Sequence, residues 1–223
     1  MSSFVLKCIA CITMFLDHIK YSSPIFRNFL TEYFGRFSFP LFAFLVTESY
    51  RNTSNLKKYY KRLFIFGVVS QIPFMLFRTL VGEWRMLNIM FTLLLGLLCI
   101  NVYDRISRKY ISIPIVIIIA IIGEIVKVDY GWFGVLTVFL MYLFKERKIF
   151  VSLIYAIAIF TYYSAFGSQF IFTTRSILLM LFTWISIFII SKYNGEKGKN
   201  IKYFFYWFYT IHMFGVYLLH FIF

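Results

Sequence analysis

Residues Ile111 to Ile122 read ISIPIVIIIAII. Eight of these twelve are isoleucine, and apolar and polar residues do not alternate. A membrane β-barrel would need that alternation in short strands. Working outward, the first charges are Lys109 on one side and Glu124 and Lys127 on the other. The block over 110–127 is long enough, as a helix, to cross ~30 Å of hydrocarbon. Inside lipid the backbone must satisfy its own hydrogen bonds, so such a block is helical. Pro114 falls in its first turn, where proline is tolerated.

The same kind of block recurs along the chain. Helices are expected over 4–21, 29–50, 58–80, 85–103, 110–127, 130–145, 148–166, 171–191 and 203–222. The 223 residues are 61% hydrophobic and 14% charged, whereas an ordinary soluble domain is roughly a quarter charged. The fold class expected is therefore an all-α integral membrane protein. It is a polytopic bundle of about nine transmembrane helices in a single domain over 1–223. A soluble domain is excluded. The second block carries Arg36 and Pro40, so it is expected to bend or to begin with a re-entrant piece. The first block ends in Asp17-His18-Ile19 without a small-residue cleavage site, so it reads as a membrane helix and not a leader.

Charge sets the orientation. The formal net charge is +14, and the 23 basic residues are mostly in loops. Alternate loops carry fifteen of them, with clusters at Arg51, Lys57, Lys58, Lys61 and Arg62, at Arg105, Arg108 and Lys109, at Lys145, Arg147 and Lys148, and at Lys192, Lys197, Lys199 and Lys202. The opposite loops carry seven. Basic loops stay in the cytoplasm, which puts the N-terminus inside and the C-terminus outside. The basic balance therefore reads as orientation and contact with anionic lipid headgroups, not as nucleic-acid binding. Cys8, Cys11 and Cys99 are too few and too apolar in context for a disulfide framework, and no second pair completes a metal site with Cys8 and Cys11.

Ionisable groups inside apolar blocks are the candidates for function, because burying them in lipid is costly. Lys7, Cys11 and His18 recur at i, i+4 and i+11, close to one face of the first helix. Asp17 adjoins His18 but points ~100° away around the helix, so it does not necessarily orient the ring. His212 lies about ten residues into the last helix, near mid-membrane, with Tyr209 three residues before it. An imidazole in such a place can serve as a general base or acyl acceptor. Arg36 can bind an anionic group or neutralise a carboxylate. Asn88 and Thr92, spaced i, i+4, either bond helix to helix or stabilise an oxyanion.

Several of these residues fall in motifs. Met14-Phe15-Leu16-Asp17-His18-Ile19 is followed by Gly35-Arg36-Phe37-Ser38-Phe39-Pro40-Leu41-Phe42. Ser70-Gln71-Ile72-Pro73, Leu87-Asn88-Ile89-Met90-Phe91-Thr92, Asp129-Tyr130-Gly131 and Tyr206-Trp207-Phe208-Tyr209-Thr210-Ile211-His212 follow in order. This series resembles the TraX family over nearly the whole chain. Two positions depart from it: Glu48-Ser49 where Glu-Gly is expected, and Tyr209-Thr210-Ile211-His212 where Tyr-Pro-x-His is expected. The resemblance implies membrane-embedded acetyl transfer from cytoplasmic acetyl-CoA, of the kind associated with acetylation of the conjugative pilin N-terminus.

Together these readings predict a multi-pass acyltransferase of a bacterial cytoplasmic membrane. It would move an acetyl or short acyl group from acyl-CoA to an amine or hydroxyl, on a protein or glycan acceptor. His18, Asp17 and His212 are its candidate catalytic residues. Arg36, Asn88 and Thr92 would hold the substrate or oxyanion. Lys7, Arg51, Lys57 and Lys58 would attract the CoA phosphates. No metal is expected, and a homo-oligomer is compatible with the sequence. The alternative is a transporter or channel whose path uses Arg36, Glu48, Glu124 and the histidines.

Overall fold

The protein is described from a computed structural model covering residues 1–144 and 174–223. Among the described residues the secondary structure is helical, apart from one isolated bridge between Leu87 and Val128. The helices are α1 (Ser3–Ile19), α2 (Phe29–Tyr33), α3 (Ser38–Asn52), α4 (Leu56–Thr79), α5 (Ile89–Arg105), α6 (Lys109–Ile125), α7 (Gly131–Leu143), α8 (Thr174–Ser191) and α9 (Lys202–Leu219). The helix expected over 148–166 lies outside the described residues, as do Lys145, Arg147 and Lys148.

Local chemistry sets most of the boundaries. Asn55 caps α4, its side chain accepting from Lys58 N at 2.9 Å, and Asn88 caps α5 by accepting from Met90 N at 3.0 Å. Asn88 therefore stands at the start of the helix, which begins a few residues later than the expected 85. The expected second helix divides into α2, a tight turn over Phe34–Phe37, and α3. The break falls at Gly35, where an added Cβ would collide with the Asp17 side chain. Close contact between this turn and α1 thus takes the place of a straight span.

Packing follows a closed order. Each of α1, α9, α4, α5, α7 and α3 packs on the next, and α3 packs back on α1. α6 lies outside against α5 and α7, and α8 lies against α3 and the Phe34–Phe37 turn. The buried set mixes apolar residues such as Leu6, Leu41, Phe74 and Leu97 with polar ones, among them Thr47, Ser70, Asn88, Thr92 and Ser112 at 0% exposure. The outside is the reverse. On α6, Ile113, Ile117, Ile118, Ile121 and Ile125 are exposed, and α4 exposes Phe64, Val68 and Ile72. Contiguous apolar surface of this kind is unusual on a soluble monomer and marks contact with a partner or a membrane. Among the described residues, α4 is the helix both long and apolar enough to cross a membrane by length and composition. α1, α5 and α6 have 17 residues each, at the lower end of the ~17–25 that a crossing needs.

The basic loops among the described residues gather at one end. Ser3 N donates to Glu196 O at 2.8 Å, joining the start of α1 to the loop before α9. Asp104 at the end of α5 accepts from Tyr50 of α3 at 2.9 Å and from Tyr142 of α7 at 2.6 Å. Arg51 donates to Tyr142 O at 3.2 Å, and its guanidinium lies 4.8 Å from the centre of the Tyr142 ring.

Candidate functional site

The opposite half of the ring contains a polar cluster built by α1, α4, α5, α9 and the turn before α7. α1 delivers His18 near its last turn, and α9 delivers His212 from its middle. The two rings meet: His18 Nδ1 lies 2.9 Å from His212 Nε2, with ring centres 5.1 Å apart and planes 21° from parallel. Phe77 of α4 packs edge-on against His18 at 4.9 Å, and Phe208 stacks on His212 at 5.1 Å. His212 is 6% exposed.

The hydrogen bonds assign the ring protons. His212 Nδ1 lies 2.8 Å from the Phe208 carbonyl oxygen, which can only accept. His212 Nδ1 therefore carries a proton. In the neutral ring its Nε2 then has a lone pair and must accept from His18 Nδ1–H. That leaves the proton-accepting lone pair of the pair on His18 Nε2, which points away from His212. A base oriented by a second group in this way is the arrangement general-base catalysis requires.

Asp17 is drawn away from its neighbour His18. Its carboxylate pairs with Lys20 Nζ at 2.7 Å, and Lys20 also donates to Thr31 O at 3.4 Å. Lys20, at the end of the first expected helix, is 3% exposed. Arg36, one residue beyond Gly35, lies within electrostatic reach of Asp17. Asp17 and Arg36 thus stand together beside His18, with Lys20 as a third charge that sequence reasoning did not single out.

Asn88 and Thr92 serve the framework. Asn88 Nδ2 donates to Gly67 O at 2.7 Å and to Gln71 Oε1 at 2.9 Å, so both its amide hydrogens are committed to α4. The Thr92 hydroxyl donates to Asp129 O at 2.5 Å. Of the two readings that their spacing left open, these bonds are the helix-to-helix one. The turn held by Thr92 has left-handed backbone at Lys127, Tyr130 and Gly131, with φ of 55°, 64° and 51°. Left-handed backbone at non-glycine residues is costly and clusters at functional sites. Here it is fixed by the Leu87–Val128 bridge, by Tyr130 stacked on Phe39 at 4.3 Å, and by Glu124, which accepts from Trp132 N at 3.1 Å. The turn carries Asp129 inward. Burial raises the Asp129 carboxyl to about 6, opposed by the Arg78 cation and reinforced by Asp17.

The remaining candidates lie elsewhere. Lys7 is half-buried near the basic end, 5.6 Å from the centre of the Phe205 ring and facing Lys197. Lys57 and Lys58 are exposed at the start of α4, whereas Arg51 is engaged by Tyr142. Glu48 is buried on α3 and faces Tyr193, and Glu124 is exposed, where it caps α7. The groups named for a transport path are therefore spread over separate places. Among the described residues no three His, Cys, Asp or Glu side chains form a set that could hold a metal.

Comparisons with known proteins bear on the whole chain. The family model described as TraX protein matches residues 2–220. The chain is also similar to the probable fimbrial assembly protein FimC, serogroup H1, of Dichelobacter nodosus. The two are 29% identical over 230 residues, spanning 95% of this chain and 93% of that protein. No solved structure matches the chain.

Proposed function

The chain belongs to the TraX family, and from that premise we propose that it is a membrane-embedded acyltransferase using His18 as general base. The observation that carries this reading is the contact between His18 and His212, from opposite ends of the sequence and 2.9 Å apart inside the helical ring. The apolar exterior and polar interior support a membrane setting. The clustering of basic loops at one end supports nine crossings with that end and the N-terminus in the cytoplasm. The similarity to a probable fimbrial assembly protein supports a protein acceptor such as a pilin subunit.

In this reading acetyl-CoA enters as substrate from the basic end. Lys7, Lys57 and Lys58, joined by Lys197 and Arg62, attract its phosphates as point charges. From Lys7 to His18 the helix rises ~16 Å, the order of length of an extended pantetheine arm. His18 Nε2 takes the proton of the acceptor amine or hydroxyl as its lone pair adds to the thioester carbonyl. His212 Nε2 accepts from His18 Nδ1–H and stabilises the imidazolium that forms. Collapse of the adduct expels the CoA thiolate, which takes the proton back from His18.

The test is CoA release from radiolabelled acetyl-CoA by the purified protein in detergent. His18→Ala should lower the rate roughly 1,000-fold and His212→Ala roughly 100-fold, and the double variant should be no slower than His18→Ala, since the two act as a unit. A wild-type protein that neither binds acyl-CoA nor releases CoA at any acyl chain length overturns the reading. So does a folded His18→Ala variant with the wild-type rate.

A further inference from the structure

The Tyr209 side chain is 2% exposed, and its hydroxyl has no hydrogen-bond partner within bonding distance among the described residues. An unsatisfied buried hydroxyl costs on the order of 1–3 kcal/mol, so its presence calls for an explanation. Its surroundings supply one. The Tyr209 ring stands 5.7 Å from the ring of His212, one helical turn away on α9. The backbone N–H of Ile89 lies beside the hydroxyl, and the Asp129 carboxylate and the Arg78 cation are within electrostatic reach. Ile89 is the first residue of α5, so its N–H has no acceptor within the helix. Asn88 caps Met90 N and not Ile89 N, which leaves the Ile89 donor directed at this place. The N-terminus of a helix also favours negative charge. Arg78, which pairs with Glu83, lies within electrostatic reach of His18, Tyr209 and Asp129.

We propose that the Tyr209 hydroxyl, with the Ile89 N–H beside it, forms the oxyanion site of the transfer reaction. This inference rests on the acyltransferase reading and names a catalytic group for it. As the acceptor lone pair bonds to the carbonyl carbon, the carbonyl π pair moves onto oxygen. Tyr209 Oη–H and Ile89 N–H donate to that oxygen, and Arg78, itself paired with Glu83, lies within electrostatic reach. When the C–S bond breaks, the electron pair returns to re-form the carbonyl and the donors are released unchanged. Asn88 and Thr92 then have an indirect part: the first sets the start of α5, and the second holds the Asp129 turn against it.

Tyr209→Phe removes the hydroxyl and keeps the ring. The expected result is a kcat lowered about 100-fold or more while KM for acetyl-CoA stays within about twofold, since the hydrogen bond strengthens only as charge develops. The melting temperature should hold or rise, because the lost hydroxyl had no partner. Ile89→Pro gives a second reading: proline fits the first position of a helix and deletes that donor, and Ile89→Val is the control for the change of side chain packed against the core. Ile89→Pro should lower kcat by roughly 10-fold or more in a protein that still binds CoA. A folded Tyr209→Phe protein with kcat near wild type overturns the oxyanion assignment and leaves the acyltransferase standing. Absence of any CoA release by the wild-type protein overturns both.

Discussion

His212 has one ring proton when neutral, and the Phe208 carbonyl takes it. Every later assignment in the pair follows from that bond, and none of it is visible in the identity of either histidine. Asp129 shows the same dependence on surroundings. In the sequence it is a turn residue; in the folded chain its half-buried carboxyl lies within electrostatic reach of Arg78, Asp17 and Glu83 and is raised to about 6, chiefly by burial. An acid with a raised pKa binds its proton more tightly folded than unfolded. Its contribution to stability therefore declines as pH rises from about 4 to about 6, and at neutral pH the ionised form is a cost of at most about 3 kcal/mol. Asp129→Asn should raise the melting temperature in detergent at pH 7, and the advantage should fade as the pH falls from about 6 to about 4. Melting curves across that range check it; an advantage independent of pH would mean that Asp129 is not the group titrating.

At the scale of helices, two small residues decide what can approach what. Gly35 lets the Phe34–Phe37 turn press on Asp17, and Gly96 lets α5 approach Val138 of α7, where an added Cβ would stand 2.5 Å from the valine Cβ. At Gly35 the colliding atoms include the Asp17 Cβ, so relief requires movement of α1 itself. Gly35→Ala should destabilise the protein by about 1–3 kcal/mol and lower activity with it, since α1 carries His18. Gly215→Ala on α9 is the control: it meets nothing within 4 Å and should be neutral or stabilising. Thermal melting and CoA release of the two variants side by side measure the difference. The bend in the second apolar block was legible from Arg36 and Pro40, but its cause was not. The contact with α1 joins residues far apart in sequence, and a glycine does not announce what it makes room for.

For the whole molecule, the closed order of helices packs the first helix on the last and separates a basic end from the histidine end. After Cys8, Cys11 and Cys99 are replaced by serine, single cysteines at Ser54 and Lys197 should react with an impermeant thiol reagent from the cytoplasmic side, and a cysteine at Arg27 only from the other. Labelling of Lys197→Cys and Arg27→Cys from the same side would remove the proposed orientation. That prediction rests on charge and hydropathy, which the sequence carries by itself. Apolar runs of about twenty residues, the loops that interrupt them and the asymmetry of lysine and arginine are properties of composition and spacing, so they determine an all-helical chain and which loops lie together. The candidate residues Asp17, His18, Arg36 and His212 were also legible, because an ionisable group in an apolar run stands out without knowledge of its partner. Which partner each of them meets was decided only by tertiary structure. His18 and His212 are 194 residues apart and touch. Asn88 and Thr92 have the right chemistry for an oxyanion and are turned to other helices, while Tyr209 looks like one aromatic among many until its hydroxyl is found buried beside the start of α5. Hydrogen-bond roles belong to pairs, and a linear chain specifies its pairs only once packing has chosen which helices meet.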